Sequence, residues 1–285
     1  MKLLIFGRTG QIAQELRRLV PSATFLSRSD VDLADPSACA RAILSSDAEA
    51  AINAAAWTAV DNAEADEAAA TVINSDAPRA MACAAAAKRI PFIHISTDYV
   101  FDGTGTRPWK TDDRVDPLGA YGRSKLKGEI GVRSAGGTYV ILRTSWVFSA
   151  HGNNFVKTML RLGSERDRLN VVADQIGGPT AAADIAAACI AIIDTLSMDA
   201  SKTGTYHFAG MPDVSWADFA RAIFTGAGLS TEVVDIPTSS YPTPARRPSN
   251  SRLDCESLSA FGLPRPDWRL SLENVLAELA IVDCH

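Results

Sequence analysis

Histidine and cysteine are scarce in this chain, and neither is clustered. Four histidines and five cysteines are spread over 285 residues. No pair stands at the spacing of a metal knuckle or a redox motif, so no catalytic zinc is expected. An odd set of thiols (Cys39, Cys83, Cys189, Cys255 and Cys284) fits reduced cysteines in a cytosolic protein. A basic excess is missing too. Twenty-eight Lys and Arg against 33 Asp and Glu give a formal charge of −5, the wrong sign for a protein whose main partner is nucleic acid. Long apolar runs are absent as well. The run after Lys2, Leu3–Phe6, is too short for a signal peptide, and no stretch approaches the length of a membrane span. A cytoplasmic setting away from membranes is expected. The chain does have the means to build a core. It is 47% hydrophobic and 21% charged, which excludes general disorder and allows one large domain or two intimate ones.

Short apolar runs alternate with Ala-rich segments through the first half. Leu3–Phe6, Ala23–Leu26, Ala50–Asn53, Pro91–Ser96 and Tyr139–Thr144 read as strands. Gln11–Val20, Ala38–Leu44, Ala63–Ala87 and Tyr121–Val132 read as helices, the third with a potential break near Ser75–Pro78. This alternation means βαβ units, a mostly parallel sheet and helices on both faces. The second half is less regular. It offers helices over Asn154–Leu162, Ala182–Leu196 and Trp216–Ala227, and strands over Leu169–Ala173 and Thr205–Ala209. The proline-rich stretch Pro237–Pro248 can be neither helix nor central strand, and it carries Arg246 and Arg247. The expected fold is α/β: a Rossmann-like, doubly wound parallel sheet with a smaller α/β substrate-binding domain at the C-terminal side. Residues 1–150, with about 165–198, would form the first domain, and 151–164 with 199–285 the second.

Gly7-Arg8-Thr9-Gly10-Gln11-Ile12-Ala13 joins the first strand to the first helix. Gly7 permits a sharp turn, Gly10 lets backbone approach a pyrophosphate, and small Ala13 lets helix pack on strand. The free N–H groups of the helix N-terminus favour an anion there. The second strand ends in Ser27-Arg28-Ser29-Asp30, followed by Asp32-Leu33. An acid at that place favours NAD and an arginine favours NADP. Arg28 tips the reading toward NADPH over NADH, with Asp30 or Asp32 near the polar edge of the adenine. Ala54-Ala55-Ala56 leaves space at the end of the third strand.

Thr97 closes the fourth strand, and Tyr121 and Lys125 stand at i and i+4 in the helix that follows. A lysine ammonium beside a phenol favours the phenolate, which would make Tyr121 an acid/base able to work near neutral pH. The Thr97 hydroxyl could hold a substrate oxygen beside it. His94 reads as a core histidine or one lying behind the site.

Several stretches go beyond a generic nucleotide fold: GRTGQIAQEL, NAAAWTAVDNAE, STDYVFDG, YGRSKLKGE, RTSWVF, GNNFVKTMLRL, DQIGGPT and YPTPARRPSNSRL. In these the chain resembles the extended short-chain dehydrogenase/reductases and, within them, the dTDP-4-dehydrorhamnose reductase family. The resemblance implies reduction of the 4-keto group of dTDP-4-dehydro-6-deoxy-L-mannose to give dTDP-L-rhamnose, for bacterial envelope polysaccharide. It implies that Tyr121 donates the proton, Lys125 orients the nicotinamide ribose and Thr97 assists. The ketone's developing alkoxide must be protonated in place, and since no side chain donates hydride a nicotinamide cofactor would carry it. Thr97, Asp98 and Trp146 would meet the sugar, Arg246 and Arg247 would supply positive charge for its anionic diphosphate, and Asn153 and Asn154 are further polar candidates. Gly10, Gln11 and Ile12 would meet the pyrophosphate, and Asp30, Asp32, Leu33, Ala56, Trp57 and Thr58 would complete the cofactor shell. Some members form a homodimer through glutamate-bound Mg²⁺. Glu15 and Glu278 stand where two ligands are expected, but Ala183-Asp184 replaces the third, which weakens a hard-cation site. Two alternatives keep the fold: a reductase or epimerase of another nucleotide sugar, and a non-catalytic regulatory subunit like that of methionine adenosyltransferase. Retention of Thr97, Tyr121 and Lys125 argues against the latter.

Overall fold

A computed structural model describes the backbone of residues 1–282 and the side chains up to residue 280; Cys284 and His285 lie outside the described residues. The first half runs β1 (Leu3–Phe6), α1 (Gln11–Leu19), β2 (Thr24–Leu26), α2 (Pro36–Ser45), β3 (Ala50–Asn53), α3 (Val60–Ala65), α4 (Glu67–Thr71), α5 (Ala77–Lys88), β4 (Phe92–Thr97), α6 (Ala120–Ala135) and β5 (Tyr139–Thr144). It continues with β6 (Val147–Phe148), α7 (Phe155–Glu165), β7 (Arg168–Val172), β8 (Ile176–Gly177), β9 (Thr180–Ala181), α8 (Ala182–Met198), β10 (Gly204–His207), β11 (Val214–Ser215), α9 (Trp216–Gly226), β12 (Glu232–Ile236), β13 (Asn250–Ser251) and α10 (Trp268–Val282).

Six strands form one parallel sheet in the order β10-β5-β4-β3-β1-β2. Both faces are covered, so its strands are nearly continuous in hydrophobicity. The two-residue period then divides them cleanly. Leu3 and Ile5 of β1 point into a core shared with α1 and α8, whereas Leu4 and Phe6 point into a core shared with α2, α5 and α6. Alanines let the helices sit close. Asp35 caps α2 by accepting from the Ala38 N–H at 3.0 Å, and Pro36 opens it. The strand order reverses between β1 and β3, the place where open α/β sheets bind ligands.

A third core builds the smaller body. Phe148, Val156, Leu169, Val171, Phe219, Ile223, Trp268 and Leu272 pack together there. The strand β6, the parallel pair β7–β12 and the helices α7, α9 and α10 form it. The structure divides the segment 165–198: β7 sits in this third core, and only α8 packs on the large sheet; it also divides 199–285, since β10 joins the large sheet.

The long helix read over Ala63–Ala87 is not continuous. Asp66 caps α4 through the Ala69 N–H, and a π-helical turn over Val72–Asp76 precedes α5. That turn brings Asn74 out of helical register to meet Trp57 and Ser124. The sequence marks a potential break near Ser75–Pro78, and the structure places it at this turn; the earlier stop at Asp66 is not marked. The strand β12, the helix α10 and the two-residue strands carry no strong local pattern in the sequence.

Helix α6 is seated by its glycines. A Cβ on Gly122 would lie 2.2 Å from the Tyr99 carbonyl oxygen and 2.8 Å from Pro117 Cβ. Neither neighbour is the free end of a flexible side chain. Gly122→Ala is therefore expected to destabilise the fold by about 1–3 kcal/mol through overpacking. Chemical denaturation checks this, and an unchanged midpoint would contradict the close seating.

Candidate active site

The turn after β1 is built by backbone constraint. Gly7 has φ +112°, and a Cβ there would come within 3.3 Å of the Ala54 carbonyl group. Its N–H donates to the Leu26 carbonyl at 2.9 Å, which ties the turn to β2. Gly10 precedes α1 without any side-chain cap, so the first N–H groups of the helix stay open to an anion. Ala54, Ala55 and Ala56 leave β3 directly opposite. Together with the ends of β4 and β5 they bound a cleft of about 780 Å³ at the C-terminal edge of the sheet.

Most of the residues expected at the site line this cleft. Gly7, Gly10, Gln11, Ile12, Arg28, Asp32, Leu33, Ala56, Thr58, Thr97, Asp98, Tyr121, Lys125, Trp146 and Asn153 all do. Four others stand apart from its lining. Asp30 closes a turn, accepting from the Ser27 N–H at 2.8 Å and the Ser27 hydroxyl at 2.6 Å. Trp57 packs beside Tyr121 and Tyr99, with its backbone N–H donating to Asn74 Oδ1 at 2.8 Å. Arg246 is exposed. Arg247 reaches Asp61 on α3 at 2.7 Å, and Asp61 also accepts from the Ala245 N–H at 3.1 Å. The proline-rich loop is thus strapped to α3. Arg28 lies at the cleft rim, 3.2 Å from Asp32, and is largely exposed. The Gln11 side chain is held by Ser149 and Asn154, at 2.8 and 3.0 Å. That leaves its backbone to open α1.

Tyr121 and Lys125 share one face of α6 and meet the end of β4. Burial pushes the Tyr121 phenol well above its ordinary range; a hydrogen bond with Thr97 works the other way, and the Asp98 carboxylate adds to the rise. The close spacing of Tyr121 and Lys125 predicts a lowered phenol, and the structure reverses that. The Lys125 Nζ donates to the Ile95 carbonyl at 2.7 Å and lies 3.4 Å from His94 Nε2. Burial draws Lys125 down to about 8, with Glu129 opposing. Thr97 Oγ1 donates to Asp98 Oδ1 at 3.0 Å and accepts from the Tyr99 N–H at 3.2 Å. Burial raises the Asp98 carboxyl to about 6.

Trp146 enters the cleft in a left-handed conformation, φ +49°, which costs a non-glycine residue about 1–3 kcal/mol. Stacking offsets part of that cost: the ring lies 3.5 Å from the Trp216 centroid, at 11°. Gly177 makes room, since a Cβ there would be 2.9 Å from the Trp146 ring. Asn74 was not singled out by its sequence. An Asn-Ser pair inside an alanine-rich helix is the signal that marks it, since both residues favour breaks and caps.

Glu15 and Glu278 do come together, but Arg18 bonds both and His151 lies 3.3 Å from Glu15. Asp184 is elsewhere, accepting from the Ser271 hydroxyl at 2.6 Å. A guanidinium between the two carboxylates does not fit a Mg²⁺ site, which wants several free oxygens. Among the described residues no group of three or more acidic, histidine or cysteine side chains is arranged to hold a metal ion. Nor is any described helix long and apolar enough to cross a membrane.

A family model described as "RmlD substrate binding domain" matches residues 1–281. The dTDP-4-dehydrorhamnose reductase of Sinorhizobium fredii is 44% identical, over 99% of this chain and 98% of its own. A solved dTDP-4-dehydrorhamnose reductase from Clostridium acetobutylicum superposes with a TM-score of 0.92 at 35% identity, over 98% of this chain and all of that one. The Bacillus anthracis reductase, solved in complex with NADP, gives 0.90 at 34% identity, again over 98% and 100%.

If Arg28 meets the extra phosphate of NADP, Arg28→Glu should raise the KM for NADPH at least about tenfold and leave that for NADH nearly unchanged. Equal effects on both cofactors in steady-state kinetics would remove Arg28 from that role.

Proposed function

The chain belongs to the dTDP-4-dehydrorhamnose reductase (RmlD) family, and from that premise we propose that it reduces the 4-keto group of dTDP-4-dehydro-6-deoxy-L-mannose, with NAD(P)H, to dTDP-L-rhamnose. The observation that carries the reading is that Thr97, Tyr121 and Lys125 line one cleft together with the open N-terminus of α1.

The cleft suits the cofactor. The Gly7–Gly10 turn and the first N–H groups of α1 would take the pyrophosphate, Arg28 the ribose phosphate, and Ala54–Ala56 the flank of the dinucleotide. When bound, the reduced nicotinamide supplies the hydride. The chain's own residues handle the proton and the geometry. Tyr121 is a phenol at neutral pH, and burial holds its proton on more firmly still; a proton donor in a reduction must start protonated. It delivers that proton to O4 as charge develops there. Thr97 holds the same oxygen, stabilising it before and during transfer. Lys125, one turn along α6, stabilises the phenolate left behind and orients the nicotinamide ribose. Trp146 gives the sugar an apolar wall, with Asp98 and Asn153 as polar contacts. The body built by the third core, with the proline-rich loop, is the part assigned to the sugar nucleotide. There Arg247, released from Asp61, and Arg246 would meet the diphosphate.

The test is a coupled assay. The keto sugar is made from dTDP-glucose with the upstream dehydratase and epimerase, and loss of reduced-cofactor absorbance is followed. Oxidation should depend on the keto sugar and give dTDP-L-rhamnose, and Tyr121→Phe should slow it by about 10²-fold or more. No keto-sugar-dependent oxidation, or undiminished turnover in Tyr121→Phe, would overturn the reading.

A further inference from the structure

One wall of the cleft is held from outside it. Trp146 lines the cleft with its backbone at φ +49°, a conformation that persists in a non-glycine residue only where the surroundings over-determine it. The chain beside it is tied down. The Ser145 hydroxyl donates to the Gly178 carbonyl at 2.9 Å, and the Trp146 carbonyl accepts from the Thr180 N–H at 3.2 Å. Those bonds fix where the indole leaves the backbone. They do not fix where the ring lies, because its side-chain torsions stay free to change rotamer.

Two other contacts do that. Gly177 of β8 meets the pyrrole edge of the ring: an added Cβ would lie 2.9 Å from Trp146 Cε2 and 3.1 Å from Nε1. Trp216 covers one face, with centroids 3.5 Å apart and planes 11° from parallel. At that separation the rings touch across their overlap and no ligand atom fits between them. Only the opposite face and the rim of Trp146 are left to the cleft. Trp216 itself stands apart from the cleft lining. It opens α9 behind Ser215, whose hydroxyl caps the helix by accepting from the Asp218 N–H at 2.9 Å. The strand before it, β11, pairs with β8, and Val214 stands in register with Gly177. Phe155, at the start of α7, leans on the Trp216 ring at 4.6 Å and 49°. The edge contact and the face contact on Trp146 are therefore built from one small sheet.

We propose that Trp216 is a positioning residue for the sugar nucleotide: stacked on Trp146, it holds that indole as a fixed wall of the sugar site without touching the substrate. The inference deepens the reductase reading and rests on it for the identity of the sugar. The groups assigned to the dinucleotide, the Gly7–Gly10 turn and Ala54–Ala56, follow β1 and β3 of the large sheet. Loss of the stack should therefore weaken the sugar nucleotide and spare the cofactor.

Two measurements test it. In protein labelled with 5-fluorotryptophan, ¹⁹F NMR reports the indoles without any turnover, and Trp146→Phe assigns the Trp146 signal. That signal should be single and sharp in the unaltered protein, and broadened or split in Trp216→Leu, where the ring has lost the contact on its face. A single sharp signal in the folded Leu variant overturns the proposal. The second measurement is steady-state kinetics. Trp216→Leu should raise the KM for the keto sugar about tenfold, the scale of one aromatic pair, and leave that for NADPH within about twofold. Trp216→Phe, which keeps a ring in the stack, should recover most of the loss. In a Trp146→Leu background, Trp216→Leu should change the keto-sugar KM by no more than about twofold, because its route to the substrate is already gone. An unchanged keto-sugar KM, an equal rise for NADPH, or the same rise in both backgrounds each overturns the proposal. If Trp216→Leu does not fold, Trp216→Met, which fills more of the space, is read in its place. The expected ¹⁹F change in a protein that turns over no keto sugar would instead count against the reductase reading alone.

Discussion

A buried ion pair fixes where the catalytic helix lies. Glu129 and Arg143 are both almost inaccessible, and the Arg143 guanidinium grips both carboxylate oxygens, at 2.8 and 2.7 Å. Ser96 donates to the same carboxylate at 2.7 Å, and Arg133 closes it from the rim at 3.3 Å. Burial alone would raise the Glu129 carboxyl, yet Arg143, Ser96 and Arg133 together hold it below its usual range. Such a pair adds little net stability over a well-packed apolar one, but losing one partner costs about 3–5 kcal/mol. Its value here is register. Glu129 lies two turns beyond Tyr121 and one beyond Lys125, so clamping it to β4 and β5 places the whole stripe.

The rest of the site follows from that placement. With α6 pinned, Tyr121 meets Thr97, and Lys125 reaches the Ile95 carbonyl. The glycines of α6 allow the close approach, and Asn74 joins α6 to the loop at Trp57 through Ser124. The sheet provides the other half: Gly7 and the alanines after β3 hold open the crevice at the strand reversal. Opposing demands meet at one edge. A cofactor needs small residues and free N–H groups, whereas the chemistry needs buried polar side chains with no spare partners.

Much of this was legible in the sequence because it is local. The βαβ alternation, the Gly7–Gly10 turn and the four-residue spacing of Tyr121 and Lys125 are periodic signals, and the observed elements follow them to within a few residues. What was not legible depends on distant partners. A break near Ser75–Pro78 was legible, but not that it takes the form of a π turn bringing Asn74 to Trp57 and Ser124. Trp146 is left-handed because Trp216 and Gly177 accommodate it. Arg247 is drawn to Asp61, 186 residues away in sequence. The spacing of Tyr121 and Lys125 suggested a lowered phenol, but burial dominates once both lie inside the protein and His94 and Ile95 engage the lysine. Resemblance to a metal-bridged family pointed to Glu15 and Glu278, and only the folded chain shows Arg18 between them.

The claim that the Glu129 clamp places the catalytic stripe is tested most directly by one number: kcat for the keto sugar with saturating NADPH in folded Glu129→Gln protein. The account predicts a fall of about 10²-fold, the scale expected when reacting groups shift by an ångström, with the near-UV circular dichroism of the rest of the molecule retained. A kcat within twofold of the unaltered protein would contradict it.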